Sequence, residues 1–288
     1  MITYATTTHK PALKALWEIC FEDSEKFINF YFDCIYQNEN SLIFLDEKNI
    51  PIAFLQIIPY QLKLGKTVYN AGYISGAMTH PEHRKKGYMR QLMNVAFSEM
   101  KKLNYTFTFL IPQEERLFDF YTKLGYEKAF PKSTIEIDQA IDNEVNSRNV
   151  EIFDELNKIP IEKLYSLYSL FLNGKTNAIL KTQEQFIYFL EDLFSDEGCA
   201  FCIEDSAFAF AVPSSNRTII KEFFCIQESV KYSLLRVVQK TFKQNKLLLP
   251  NVFGQSCQEQ LYGMIKVLIP SNIPSKIDED IYMGMMLD

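Results

Sequence analysis

The sequence predicts an α/β (α+β) protein built as two successive units of one element order, the second a degenerate copy of the first. Three observations predict it. Apolar periodicity over the first half switches between helical and strand spacing in the order α-α-β-β-β-α-β-α-β. After a polar stretch at 138–149 the same order returns with different residues. A strand, a basic glycine-containing turn and a helix follow one another at 71–91, and the second half has no equivalent.

Taken in order, Leu13, Leu16, Trp17 and Cys20 stand at helical spacing within 11–20, and Ser24 is suited to cap a second helix through 35. Strands are predicted at 42–45 and 52–58, joined by the polar turn 46–49, with Pro59 ending the second. Leu64-Gly65-Lys66 turns the chain into a long strand over 67–79. Met89, Leu92, Met93, Ala96, Phe97, Met100 and Leu103 form one apolar stripe on a helix. Residues 105–110 alternate as a strand that Pro112 ends. A short helix at 114–123 is stopped by Gly125, and 126–137 is a final strand. The linker at 138–149 sets expected domains at 1–140 and 148–288. Beyond it, helices are predicted at 161–172 and 182–194 and strands at 200–203, 208–212 and 218–226. A helix capped by Ser229 and strands at 247–249 and 264–269 complete the copy.

The chain has 288 residues, 47% of them hydrophobic, with 24 Phe and 16 Tyr, which is enough to fill two cores and excludes a disordered chain. A net charge of −6 argues against nucleic acid, which asks for a basic face, and suits a cationic acceptor better. No window reaches the roughly 18 apolar residues of a membrane span, and no apolar run follows a basic start as in a signal peptide. The six scattered cysteines read as reduced thiols, so the expectation is a cytoplasmic protein without a membrane partner. Cys199 and Cys202 form a C-x-x-C without a second pair, and on a strand their thiols face opposite sides. His80 and His83 lack the carboxylates of a metal set, so no metal is expected.

The turn at 81–90 carries Arg84, Lys85, Lys86 and Arg90 at a helix N-terminus, where unpaired N–H groups and the helix dipole attract anions. Gly87 allows the backbone to approach a phosphate closely. A basic turn before an amphipathic helix is otherwise an ordinary solvated face. Here strand, glycine turn and helix together predict a phosphate cradle.

Pro81 and Arg84-Lys85-Lys86-Gly87-Tyr88-Met89 resemble motif A of the GNAT N-acetyltransferase superfamily, R/Q-x-x-G-x-G/A, with Met89 where Gly or Ala is usual. Phe120-Tyr121-Thr122-Lys123-Leu124-Gly125-Tyr126 resembles the F-Y-x-x-x-G-F/Y signature of motif B, in the right order and at the right distance. The resemblance implies tandem GNAT folds, each a mixed central sheet flanked by helices. The second copy has Cys225-Ile226-Gln227-Glu228-Ser229 at the cradle position, without glycine and with a carboxylate that would repel a pyrophosphate. An active half, a degenerate half and a short apolar end are similar to the Eis-like (enhanced intracellular survival) acetyltransferases, without their sterol-carrier-type domain.

The resemblance implies acetyl-CoA as co-substrate, with the N–H groups from Lys85 to Arg90 on its pyrophosphate. The backbone of Met78 and Thr79 would pair with the pantetheine arm and lend an N–H to the oxyanion. Acyl transfer from a thioester needs no protein nucleophile, and no Ser-His-Asp or Cys-His set stands out. Tyr121 is then the general acid beside the thioester sulfur, since a phenol with a pKa of about 10 keeps its proton at neutral pH. A tyrosine packed on its ring with a bonded hydroxyl is the alternative. The base is Asp288, whose terminal carboxylate would be delivered by the apolar Met283, Met285, Met286 and Leu287, or else Glu114, Glu115 or a water. The expected acceptor is a small polyamine-like or aminoglycoside-like amine. The other readings are a non-catalytic acetyl-CoA-binding module and an enzyme with a protein or aminoacyl acceptor. The sequence is silent on whether the chain forms a homo-oligomer.

Overall fold

The computed structural model describes residues 1–141, 150–251, 259–273 and 280–286. The chain forms two compact units: Met1–Phe130 with Tyr262–Asp280, and Pro131–Leu261 with Ile281–Leu287.

The first unit opens with β1 (Ile2–Tyr4), α1 (Lys10–Cys20), α2 (Glu25–Phe30), β2 (Ser41–Leu45), β3 (Pro51–Leu64) and β4 (Thr67–Thr79). It continues through α3 (Tyr88–Lys102), β5 (Phe107–Leu110) and α4 (Glu115–Thr122) into β6 (Glu127–Ile137), along which the chain passes to the second unit. Strands β1 to β4 pair antiparallel in sequence, and β4 pairs parallel with β5, so the sheet is mixed. Ser24 caps α2 as expected, its hydroxyl accepting from Phe27 N at 3.2 Å. That helix then widens into a π turn over Tyr31–Ile35. One face of α3 buries Leu92, Met93, Ala96, Phe97 and Met100 against Ala53, Leu55, Ile57 and Ile74. Leu103, expected on that stripe, is exposed, because the helix has ended at Lys102. Pro59 was expected to stop a strand, yet β3 runs through it opposite Gly72. Pairing with β2 extends only to Gln56, so the missing N–H breaks no rung to β2.

The second unit carries β7 (Glu151–Phe153), α5 (Ile161–Gly174), β8 (Asn177–Leu180), α6 (Gln183–Ser195), β9 (Cys199–Ile203), β10 (Ala207–Pro213), β11 (Thr218–Cys225), α7 (Glu228–Phe242) and β12 (Leu247–Pro250). Its sheet has the order β6-β12-β11-β10-β9-β7, with β11 and β12 parallel and the other neighbours antiparallel. Helix α7 packs Val230, Leu234, Leu235 and Val238 on one face, over Ala209, Ile220 and Phe223. Helices α5 and α6 cover the other with Tyr168, Phe171, Phe186 and Leu190 over Phe208 and Phe210. Cys199 belongs to the first of these cores and Cys202 to the second, so the two thiols do face opposite sides. Helix α7 starts at Glu228 after Gln227 rather than at a Ser229 cap.

The last strand, β13 (Glu259–Val267), leads out of the second unit into the first, where Met264 to Val267 pair antiparallel with β5. The units therefore differ from the contiguous halves read from the sequence. The end of β6 completes the second sheet, with Thr134 to Ile137 on β12, and β13 completes the first. Part of the expected linker, 142–149, lies outside the described residues.

Candidate active site

The parallel pairing of β4 with β5 covers Ala71 to Tyr73, and past it β4 runs on to Thr79 paired with β3 on its other side. In the same stretch the β3–β4 register slips: Phe54 pairs with Met78 but Gln56 with Ser75, leaving one extra residue on β4 at Gly76–Ala77. This bulge bends the strand and frees its edge. Gly76 holds it at φ +59, and a Cβ there would lie 2.6 Å from Trp17 Cζ3 and 3.0 Å from Phe54 Cε1. Trp17, only 4% exposed, is itself fixed by donating Nε1 to Asp23 Oδ2 at 2.7 Å. Gly76 and Asp23 are unmarked in the sequence reading, and Trp17 figures there only on the apolar face of the first helix. A Ser-Gly pair inside a long strand was the available signal for the bulge.

Beyond the bulge the chain turns through a short 3₁₀ segment, Pro81–His83, whose Glu82 N–H is accepted by His80 Nδ1 at 3.3 Å. Arg84 does not extend freely: its Nε donates to Thr79 O at 3.1 Å, an oxygen that the Cys20 thiol also reaches at 3.5 Å. Lys85 and Gly87 both take left-handed backbone, φ +63 and +82. Alternating left- and right-handed residues turn successive N–H groups toward one side and form an anion nest. Helix α3 begins next, with no side-chain cap on its first turn. A Cβ on Gly87 would meet no atom within 4 Å, so the space beside it is open to a ligand. Lys85, Lys86 and Arg90 are exposed around it, while Met78 is buried on β4. Tyr88 and Met89 are half-buried against the core of the unit, which explains why a large residue is accepted at position 89.

Helix α4 ends in a Schellman arrangement: Tyr126 N donates to Tyr121 O at 3.1 Å and Gly125 N to Thr122 O at 2.9 Å, with Gly125 at φ +85. Lys266, from β13, donates Nζ to Leu124 O at 2.7 Å, a cation on the negative end of the helix. The motif B spacing thus fixes the helix end that carries Tyr121. That side chain is 6% exposed, edge-on to Phe120 and Tyr126 at 5.1 and 5.8 Å. Burial pushes its phenol up to about 12. Among the described residues its hydroxyl makes no hydrogen bond, unlike Tyr126, which is bonded to Thr108 at 3.1 Å. Tyr121 lies in the same hydrophobic core against which Ala77, Tyr88 and Met89 pack, so one core carries the bulge, the cradle helix and the phenol.

Of the carboxylates weighed as base, Glu114 is exposed and paired with Arg116, and Glu115 is exposed in the first turn of α4. Asp288 lies outside the described residues. No group of metal-ligating side chains occurs among the described residues, and none of the described helices is long and apolar enough to cross a membrane.

Residues 1–129 match the family described as Acetyltransferase (GNAT) domain. The match ends where β6 begins to leave the first unit. No curated protein matches the chain. Solved structures with the same fold include a GCN5-related N-acetyltransferase from Kribbella flavida, at 16% identity and TM-score 0.74, covering 93% of this chain and 70% of that one. Another from Anabaena variabilis is 17% identical with a TM-score of 0.72, covering 93% and 73%. Eis1 from Mycobacterium abscessus is 11% identical with a TM-score of 0.69, covering 93% and 74%. At these identities the likeness is one of fold, and it extends well past residues 1–129.

Proposed function

We propose that the protein is an acetyl-CoA-dependent N-acetyltransferase of the tandem, Eis-like type that acetylates an amine of a small cationic acceptor directly. The observation that carries this reading is the pairing of an open anion nest at Lys85–Gly87 with a buried, unbonded phenol at Tyr121 on one core. The nest and the uncapped α3 terminus suit a pyrophosphate, and the exposed Lys85, Lys86 and Arg90 add charge to it. Arg84, tied back to Thr79 O, braces the turn instead of reaching out. The free edge of β4 at its bulge suits the pantetheine amides and an N–H toward the developing oxyanion.

In the reaction the neutral acceptor amine attacks the thioester carbon, the C–S bond breaks, and the sulfur leaves as CoA thiol after taking the Tyr121 proton. Asp288 is our candidate to receive the amine proton, because Glu114 is engaged by Arg116 and Glu115 points to an exposed helix start. The net charge of −6 supports a cationic acceptor. Purified protein given acetyl-CoA and a panel of polyamines and aminoglycosides should release CoA thiol. Saturable acetyl-CoA binding with no thiol release on any amine would favour a binding module instead.

A further inference from the structure

The second unit repeats the strand–bulge–helix layout of the first, yet a buried carboxylate stands where the bulge falls. Strand β11 pairs in parallel with β12 at Thr218 and Ile219, then slips against β10: Phe210 pairs with Glu222 but Ala211 with Ile220. Lys221 is the extra residue and is exposed. The slip changes which side chains share a face. Ile220 and Phe223 lie in the core under α7, whereas Ile219 and Phe224 lie in the core under α5 and α6. On an unbulged strand Glu222 would share the face of Ile220; the bulge turns it to the other side.

There it meets the segment Ile281 to Met286. Glu222 has no exposure at all and accepts from the Tyr282 hydroxyl and from Met285 N, the latter at 2.7 Å. Lys181, 5% exposed and just past β8, donates Nζ to the Met283 carbonyl. Gly284 passes between them at φ +70, where a Cβ would lie 2.5 Å from Glu222 Oε1 and 3.1 Å from Lys181 Nζ. Tyr282 also pairs with β8, its N–H donating to Asn177 O at 3.0 Å and its carbonyl accepting from Ile179 N at 2.9 Å. Ile281, Met283 and Met286 are buried. The groups facing Glu222 are Lys181, Lys175 and Tyr282, and Lys175 Nζ sits 4.8 Å from the rings of both Phe171 and Tyr282.

We infer that Glu222, with Lys181, is a latch that receives the C-terminal segment as a bound peptide and fixes its register. Apolar side chains alone would hold such a segment without choosing one alignment. Fixed bonds at 282, 283 and 285 and a glycine-only position at 284 choose one. Burying a carboxylate and an ammonium costs more than packing methyl groups, and a single enforced register is what that cost secures here. If Asp288 serves in the reaction as read above, Glu222 is a positioning residue that acts through the segment; that consequence rests on the acetyltransferase reading, while the latch does not.

The test uses the full-length protein and its Glu222→Gln and Gly284→Ala variants, followed by amide hydrogen exchange. Protection at Tyr282 and Met285 is expected to fall at least about tenfold in both, with the β9–β11 amides unchanged as a check on folding. Wild-type protection in the Gly284→Ala variant, which leaves the buried charges in place, overturns the latch. A second arm removes residues 287 and 288 from wild type and from Glu222→Gln. Glu222→Gln should lower kcat at least about tenfold with little change in the KM for acetyl-CoA, and the deletion should add nothing to that loss. Additive losses overturn action through the segment. An unchanged kcat after deletion in wild type rejects the role of Asp288 and, with it, the positioning consequence. The exchange result stands or falls separately.

Discussion

Tyr121 packs its ring in the core at 6% exposure and makes no hydrogen bond through its hydroxyl among the described residues, so the role of proton donor proposed for it can be tested directly. Tyr121→Phe should lower kcat by about 10²-fold or more while leaving the KM for acetyl-CoA within about twofold, as steady-state thiol release would read. Because burial raises this phenol to about 12, kcat should show no falling limb from it between pH 8 and 10. The same shift has a stability sign. The unfolded phenol ionises near 10 and the folded one near 12, so its contribution is complete below pH 10 and is lost as pH rises through 12. Thermal melts should therefore steepen downward above pH 10, and less so in Tyr121→Phe. At the cradle, valine at the φ of Gly87 costs about 1–3 kcal/mol of backbone strain. Gly87→Val should weaken CoA binding about tenfold or more by calorimetry. Met89→Ala, which removes a side chain that packs inward, should change it far less.

At the scale of elements, two bulges do most of the work of placing chemistry. In β4 the extra residue at Gly76–Ala77 sits where the strand has parted from β5, and Trp17 presses on it. Gly76→Ala puts a Cβ into that ring and into a left-handed backbone, so a loss of roughly 2–4 kcal/mol is expected in denaturant melts. Trp17→Phe in the same background should recover part of it. A bulge is invisible to apolar alternation, because one inserted residue in a long strand alters the facing of its neighbours without altering its composition. Glu222 shows the same limit. In a strand reading Thr-Ile-Ile-Lys-Glu-Phe-Phe-Cys it looks like half of a solvated charge pair, and only the slip at Lys221 turns it from the face under α7 to the face that meets residues 281–286. The long elements were legible: β4 spans the predicted 67–79, and α1, α3, α5 and α6 fall within a few residues of expectation. The strands β1, β7 and β8 were missed, since three or four residues carry too little period to stand out from loops.

For the whole molecule, the consequence is that the first compact unit is not a contiguous half. Met264 and Leu268 belong to the core that also holds Tyr121, and Lys266 caps the helix that carries it. A fragment of residues 1–140 should therefore lack a cooperative melt and CoA binding, although it contains both sequence motifs; a folded, CoA-binding fragment would show β13 to be dispensable. The sequence by itself determined the order of the longer elements in both halves, the basic glycine turn and the helix stop at Gly125. Those are local properties, set by side-chain spacing, left-handed glycines and charge. The tertiary structure alone decided which strand completes which sheet, where the two bulges fall and that Glu222 is buried against residues 281–286. Backbone ladders bond any residue type, so the choice of partner strand is made by packing between distant segments, and it leaves no mark on either segment read alone.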